Sequence, residues 1–174
     1  MALIVFLRGA NVGGHRRFRP ARFVRTLKTL DASNIGATGI FVIRKGINKS
    51  ALRSRLTRSL PFNTDIFIVP GREITRLLSA DPFRGRATPR GTVKFVSILS
   101  RRTHPGPRTT FSLPTGKRWL VRILGRRGRF VYGLYRRNMK VIGILGQLDT
   151  IFGVPLTTRS WGTIEKIGVA LRTS

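Results

Sequence analysis

Cysteine is absent from the 174-residue chain. That excludes disulfide staples, thiolate metal ligands and cysteine nucleophiles, and it suits a cytoplasmic protein. Acidic residues are scarce: Asp31, Asp65, Glu73, Asp81, Asp149 and Glu165 are the whole set. They stand apart in sequence, so a working carboxylate pair would have to be assembled by folding. Histidine occurs only as His15 and His104. No His/Asp/Glu cluster has metal-ligand spacing, so no metal and no other cofactor is expected. No G-x-S-x-G nucleophile elbow occurs. The sequence therefore names no catalytic residue, and an enzyme is left open without a candidate. Long apolar runs are missing too. The longest, Ala2 to Leu7, is far short of a membrane span and lacks the flanks of a signal peptide. A soluble, cytoplasmic protein with no membrane partner is the expectation.

Positive charge is what the chain has in excess. Lys plus Arg is 34 against 6 acids, a net charge of +28. Arginine supplies 27 of those cations and lysine 7. Most cations cannot be neutralised within the chain. Such a molecule repels itself and is drawn to polyanions at low salt. Hydrophobic content is 41%, enough for a packed core.

Apolar periodicity divides the chain into two halves with a connection between them. Ala2–Arg8 reads as a strand buried on both faces. Pro20 opens a helix carrying Phe23, Val24, Leu27 and Leu30 on one side. Ile40–Lys45 is a strand, Asn48 caps a helix marked by Leu52, Leu56 and Leu60, and Asp65–Val69 is a further strand. "NIGATG", just ahead of the Ile40–Lys45 strand, is too rich in small residues to assign alone, and the order is read as strand, helix, two strands, helix, strand, the ferredoxin-like βαββαβ pattern. This first half, residues 1–83, closes at "DPF", Asp81 to Phe83. Residues 84–91 read as the connection.

The second half, 92–174, opens with the strand Val93–Leu99, followed by a Pro/Gly-rich stretch read as loop. A hairpin follows, with Trp119, Val121 and Ile123 on one face and "GRRG", Gly125 to Gly128, as its turn. Met139–Phe152 reads as a helix with Gly153 beyond its end. Trp161, Ile164, Ile167 and Leu171 mark a last helix that Ser160 can cap. The fold class expected is α+β, with a ferredoxin-like half and an antiparallel-sheet-and-helix half.

Three of these stretches carry a family likeness. "LIVFLRGANVGG" resembles the opening "ALLRGINVGG" of the DUF1697 family of uncharacterised bacterial proteins. "DPF" resembles that family's "NPF", and "GVPLTTRSWGTIEKI" its closing "ATTRNWNTVxKL". The motifs fall in the family's order across essentially the whole chain. The chain departs where the family carries "YIQSGN" and this sequence has "NIGATGIF", and where Ser160 and Gly162 replace two asparagines. The resemblance implies an α+β fold with a ferredoxin-like first half and brings no activity. Strong basicity is not a trait of the family that the chain resembles, so it belongs to this chain or its close relatives.

Two functional readings remain open. In the first, the protein binds nucleic acid or another polyanion without sequence specificity. Arg16, Arg17, Arg19 and Arg22 in "HRRFRPARFVR", Arg126, Arg127 and Arg129 at the hairpin tip, and Arg136 and Arg137 in "YRRNMK" are its candidate residues. Phe18, Tyr132 and Tyr135 are available in principle to stack on bases. In the second, a small anion or metabolite sits in the glycine loop after the first strand, held by Arg8, Asn11, Gly13 and Gly14, with Thr158 and Arg159 assisting. The loop matches neither dinucleotide nor P-loop spacing, so a tight turn is the preferred reading of it and the anion cradle the alternative.

Overall fold

The computed structural model describes residues 1–10, 18–103 and 110–173. The chain divides into two compact units, Met1–Ser79 with Glu165–Ser174, and Ala80–Ile164. The break falls four residues before the one read from sequence. Glu165–Ser174, expected with the second half, groups with the first.

In the first unit, strands β1 (Leu3–Leu7), β2 (Ala32–Ile35), β3 (Ile40–Ile43) and β4 (Ile66–Pro70) form a sheet in the order β2-β3-β1-β4. Every neighbouring pair is antiparallel. Each crossover skips one strand position, β1 to β2 over β3 and β3 to β4 over β1. This is the ferredoxin-like arrangement the element order requires. The apolar run of β1 explains its place at the centre: Leu3, Val5 and Leu7 join the core formed with Phe23, Leu27, Leu52 and Leu56. Ile4 and Phe6, on the opposite face, are fully buried as well.

Helix α2 (Lys49–Ser59) starts as expected, with the Asn48 side chain accepting the Ala51 N–H at 2.8 Å. The first helix is shorter than the periodicity suggests. Only α1 (Pro20–Phe23) is α-helical, and Val24–Leu30 winds as a 3-10 segment. Thr26 donates its hydroxyl to the Phe23 carbonyl, which competes with the α-helical ladder there. "NIGATG" contains the end of β2 and its turn into β3. Gly36 and Gly39 supply positive φ at that turn. A side chain at Gly39 would also press on Leu7 and Ala10. Helix α3 (Gly71–Ala80) follows β4.

In the second unit, β5 (Thr92–Leu99), β6 (Phe111–Leu113), β7 (Val121–Arg127), β8 (Phe130–Arg136) and β9 (Leu156–Ser160) form an antiparallel sheet in the order β6-β7-β8-β5-β9. Strands β6 and β9 sit in stretches read from sequence as loop and as polar cap. The hairpin turn is Gly128–Arg129, because Arg127 pairs with Phe130. Gly125 and Arg126 therefore belong to the strand, and the bulge between Ile123 and Gly125 replaces the expected turn start. The long helix read over Met139–Phe152 is two short ones, α4 (Val141–Gly146) and α5 (Leu148–Phe152). Gly143 and Gly146 weaken the ladder where it breaks. Gly153 does end α5 with φ 68°.

Both short helices cover one face of the sheet, packing Val141, Leu148 and Phe152 with Phe95, Val121, Ile123, Val131 and Leu156. Helix α6 (Trp161–Arg172) begins behind β9, and the Ser160 hydroxyl accepts the Thr163 N–H at its start. The division between units falls inside this helix. No helix among the described residues is long and apolar enough to cross a membrane.

Candidate nucleic-acid interface

The hairpin of the second unit carries the densest arrangement of cations. Val121 and Ile123 of β7 turn to the helix-covered face. Strand alternation sends Arg122 to the other. Trp119 lies two residues ahead of the strand and does not follow Val121 and Ile123 inward. Its ring meets the Arg122 guanidinium at 4.2 Å and the Arg136 guanidinium at 4.4 Å. Only 3% of Trp119 is exposed, so the two cations and the sheet cover it. Attraction between cation and ring quadrupole, together with planar stacking, holds both guanidinia flat.

The Nε of Arg122 donates to the Ser112 hydroxyl at 3.2 Å, and Arg136 reaches the Lys117 carbonyl at 3.4 Å. These acceptors are neutral, so neither bond supplies a counter-charge to its guanidinium. Among the described residues neither faces a carboxylate. Their remaining N–H edges are suited to phosphate oxygens.

The sequence-derived arginines separate into three kinds. Arg127, Arg136 and Arg137 are exposed around the hairpin, and Arg19 and Arg22 are exposed on the first unit. Arg126 is committed internally: it donates to the Thr103 hydroxyl at 2.8 Å, the Thr103 carbonyl at 2.9 Å and the Gly128 carbonyl at 2.8 Å. It braces the hairpin. Arg129 is half-buried. Arg16 and Arg17 lie outside the described residues, as do His15 and His104.

Phe18 is a core residue, with ring centroids 5.2 Å from Phe23 and 5.4 Å from Phe62, so it is withdrawn from base stacking. Tyr132 stands edge-on to Phe83. Sequence reasoning missed Trp119 as a platform, because it phased that ring with the inward residues of β7. The signal available was the spacing "RWLVR", which places cations on both sides of an aromatic.

The residues of the second reading are distributed differently. Arg8 pairs with Asp65 at 3.5 Å, and its backbone exchanges hydrogen bonds with Asp65 and Thr64. It lines a cleft of about 580 Å³ with Gly9, Asn63, Thr64 and Asp65. Asn11, Gly13 and Gly14 lie outside the described residues. Thr158 and Arg159 belong to the second unit and alternate across β9. Thr158 pairs with Ser97 on the helix-covered face, where the two hydroxyls are 2.6 Å apart. Arg159 pairs with Val96 on the other face and donates to the Thr157 hydroxyl and the Thr158 carbonyl, each at 2.8 Å. Burial lowers the pKa of Arg159 from the ordinary guanidinium value to about 10.

A cavity of about 300 Å³ opens over the helix-covered face, lined by Tyr135, Arg137, Val141, Ile142, Leu145 and Thr158, with Asn138, Arg159 and Ser160 completing its wall.

Comparison with known proteins yields one family. No curated protein and no solved structure matches the chain. The model of a family described as "Protein of unknown function (DUF1697)" matches residues 1–118. The match covers the first sheet and stops one residue before Trp119, so the hairpin, the cavity and the closing motif Gly153–Ile167 lie beyond it. Two thirds of the chain, including its opening glycine motif and "DPF", place the protein in the DUF1697 family.

Proposed function

We propose that the protein binds nucleic acid without reading its sequence, through contacts of arginine with phosphate, and that the β7–β8 hairpin of the second unit is the contact surface. The observation carrying this reading is the pair of guanidinia held on Trp119 with only neutral acceptors around them. A cation that is oriented but not neutralised retains its whole attraction for an anion, and stacking has already removed part of its side-chain freedom. Arg127 and Arg137 extend the charged surface on either side. With six acids in the chain, little opposes the approach of a polyanion.

The test is the salt dependence of binding to a short duplex and a single strand. Replacing Arg127, Arg136 and Arg137 together with Gln should lower affinity and flatten the log–log slope by about two to three, roughly one for each lost phosphate contact. An unchanged slope removes the hairpin from the interface. Heparin is the control: if it matches both nucleic acids at every salt concentration, the protein is a general polyanion trap and the reading fails.

A further inference from the structure

The cavity over the helix-covered face of the second unit shares only Arg137 with the hairpin surface, and the rest of its lining has a different chemistry. We propose that it binds a small organic acid, an aryl or branched-alkyl carboxylate, with the carboxylate at the Arg137 end and the apolar body against α4.

The apolar wall comes from one side of α4. Val141 is buried, Leu145 is half-buried and Ile142 is 69% exposed at the rim. An exposed isoleucine beside a cavity gains from being covered, and a ligand body of a few carbons supplies that cover. The floor is polar but modest. Thr158 shares a short hydrogen bond with the buried Ser97, and the Ser160 hydroxyl is engaged with Thr163 at the start of α6.

The free donors lie at one end. Arg137 is exposed, and among the described residues its guanidinium makes no hydrogen bond or ion pair. Asn138 uses its carbonyl oxygen to accept the Lys140 N–H, which leaves its amide donors available. No acidic side chain lines the cavity. A cation is therefore disfavoured, a carboxylate is favoured, and the apolar wall selects against a bare inorganic ion. A volume of about 300 Å³ is at the small end of ligand pockets, which limits the occupant to a compact molecule.

Phenylacetate, its neutral isostere phenylacetamide, and acetate are the probes. They are followed by thermal stability and by methyl NMR shifts in about 0.5 M salt, where loose surface binding is screened beyond a few ångströms. Phenylacetate should raise the melting temperature saturably and shift the methyl signals of Val141, Ile142 and Leu145, with acetate and the amide at least about tenfold weaker. Ile142→Ser and Arg137→Gln should each weaken phenylacetate severalfold. Ile142→Ser should leave duplex binding unchanged, which separates this site from the hairpin surface. Equal responses to the three probes overturn the proposal. So do no response to any of them, methyl shifts scattered outside the cavity, and full binding by both variants.

Discussion

Gly133 of β8 shows how little room the second sheet leaves for a single carbon. A methyl group there would be driven into the backbone carbonyl of Arg122, with Phe95 closing the other side. The backbone of the neighbouring strand cannot step aside, so Gly133→Ala should cost about 3 kcal/mol in urea unfolding. Gly125 faces a softer obstacle, the ring of Tyr132. Gly125→Ala should cost less, about 1 kcal/mol, because a side chain can swing away. Equal losses at the two positions would contradict the distinction.

Arg159 makes a second prediction at this scale. Burial holds its pKa in the folded protein at about 10, below the ordinary guanidinium value it regains on unfolding. Below pH 10 both states hold the proton, and burial of the charge is a constant cost. Above about pH 10 the folded group begins to lose its proton while the unfolded chain still holds it, so the contribution of this group to stability rises with pH. The difference in unfolding free energy between the parent and Arg159→Met should therefore move in favour of the parent from pH 8 to pH 11. A constant difference would mean that the guanidinium is not desolvated.

At the scale of elements, the hairpin depends on how its cations are held. Trp119→Leu keeps an apolar residue of moderate size and every positive charge, but removes the ring beneath Arg122 and Arg136. Duplex affinity should fall severalfold, because each cation–π contact is worth about 1 kcal/mol. The salt slope should stay within experimental error of the parent. A slope that falls with the affinity would mean that whole phosphate contacts, and not their pre-orientation, had been lost.

The elements also show which parts of the sequence were legible. Strands β1, β3, β4, β5 and the β7–β8 pair were readable because continuous or alternating apolar residues mark them. So was the ferredoxin-like order of the first sheet. The elements that escaped, β2, β6 and β9, are edge strands. Short, polar edges carry no strong alternation, and "LTTRS" resembles a capping segment until its pairing with β5 is known. Periodicity also ran through α4 and α5 as one helix, since it does not register two glycines in the ladder. The cavity was illegible for a similar reason: it needs α4 brought beside Tyr135 of β8 and Thr158 to Ser160 of β9, an arrangement set by the fold.

For the whole molecule the net charge was plain from the sequence, but not which arginines are already committed. Arg44 donates to the carbonyl of Ala170, 126 residues away, and Arg53 to that of Ile66. Such bonds join distant segments without neutralising the cation. The fold thus uses arginines as braces and keeps their field, with the self-repulsion that follows. Screening should relieve that repulsion. The melting temperature should rise by several degrees between about 0.02 and 0.3 M sodium chloride, and a short polyphosphate should raise it further. A melting temperature that fell with salt would show that attractive pairs dominate after all.

The first unit takes residues from both sides of the second. Gly71 lies against the side chain of Leu171, and Gly168 against Leu78. During translation Met1–Ser79 leaves the ribosome first, but the helical wall it packs against follows Ala80–Ile164. The ferredoxin-like sheet is thus synthesised early and completed late. A nascent chain stalled before Glu165 exposes apolar surface on its first unit that the finished protein hides.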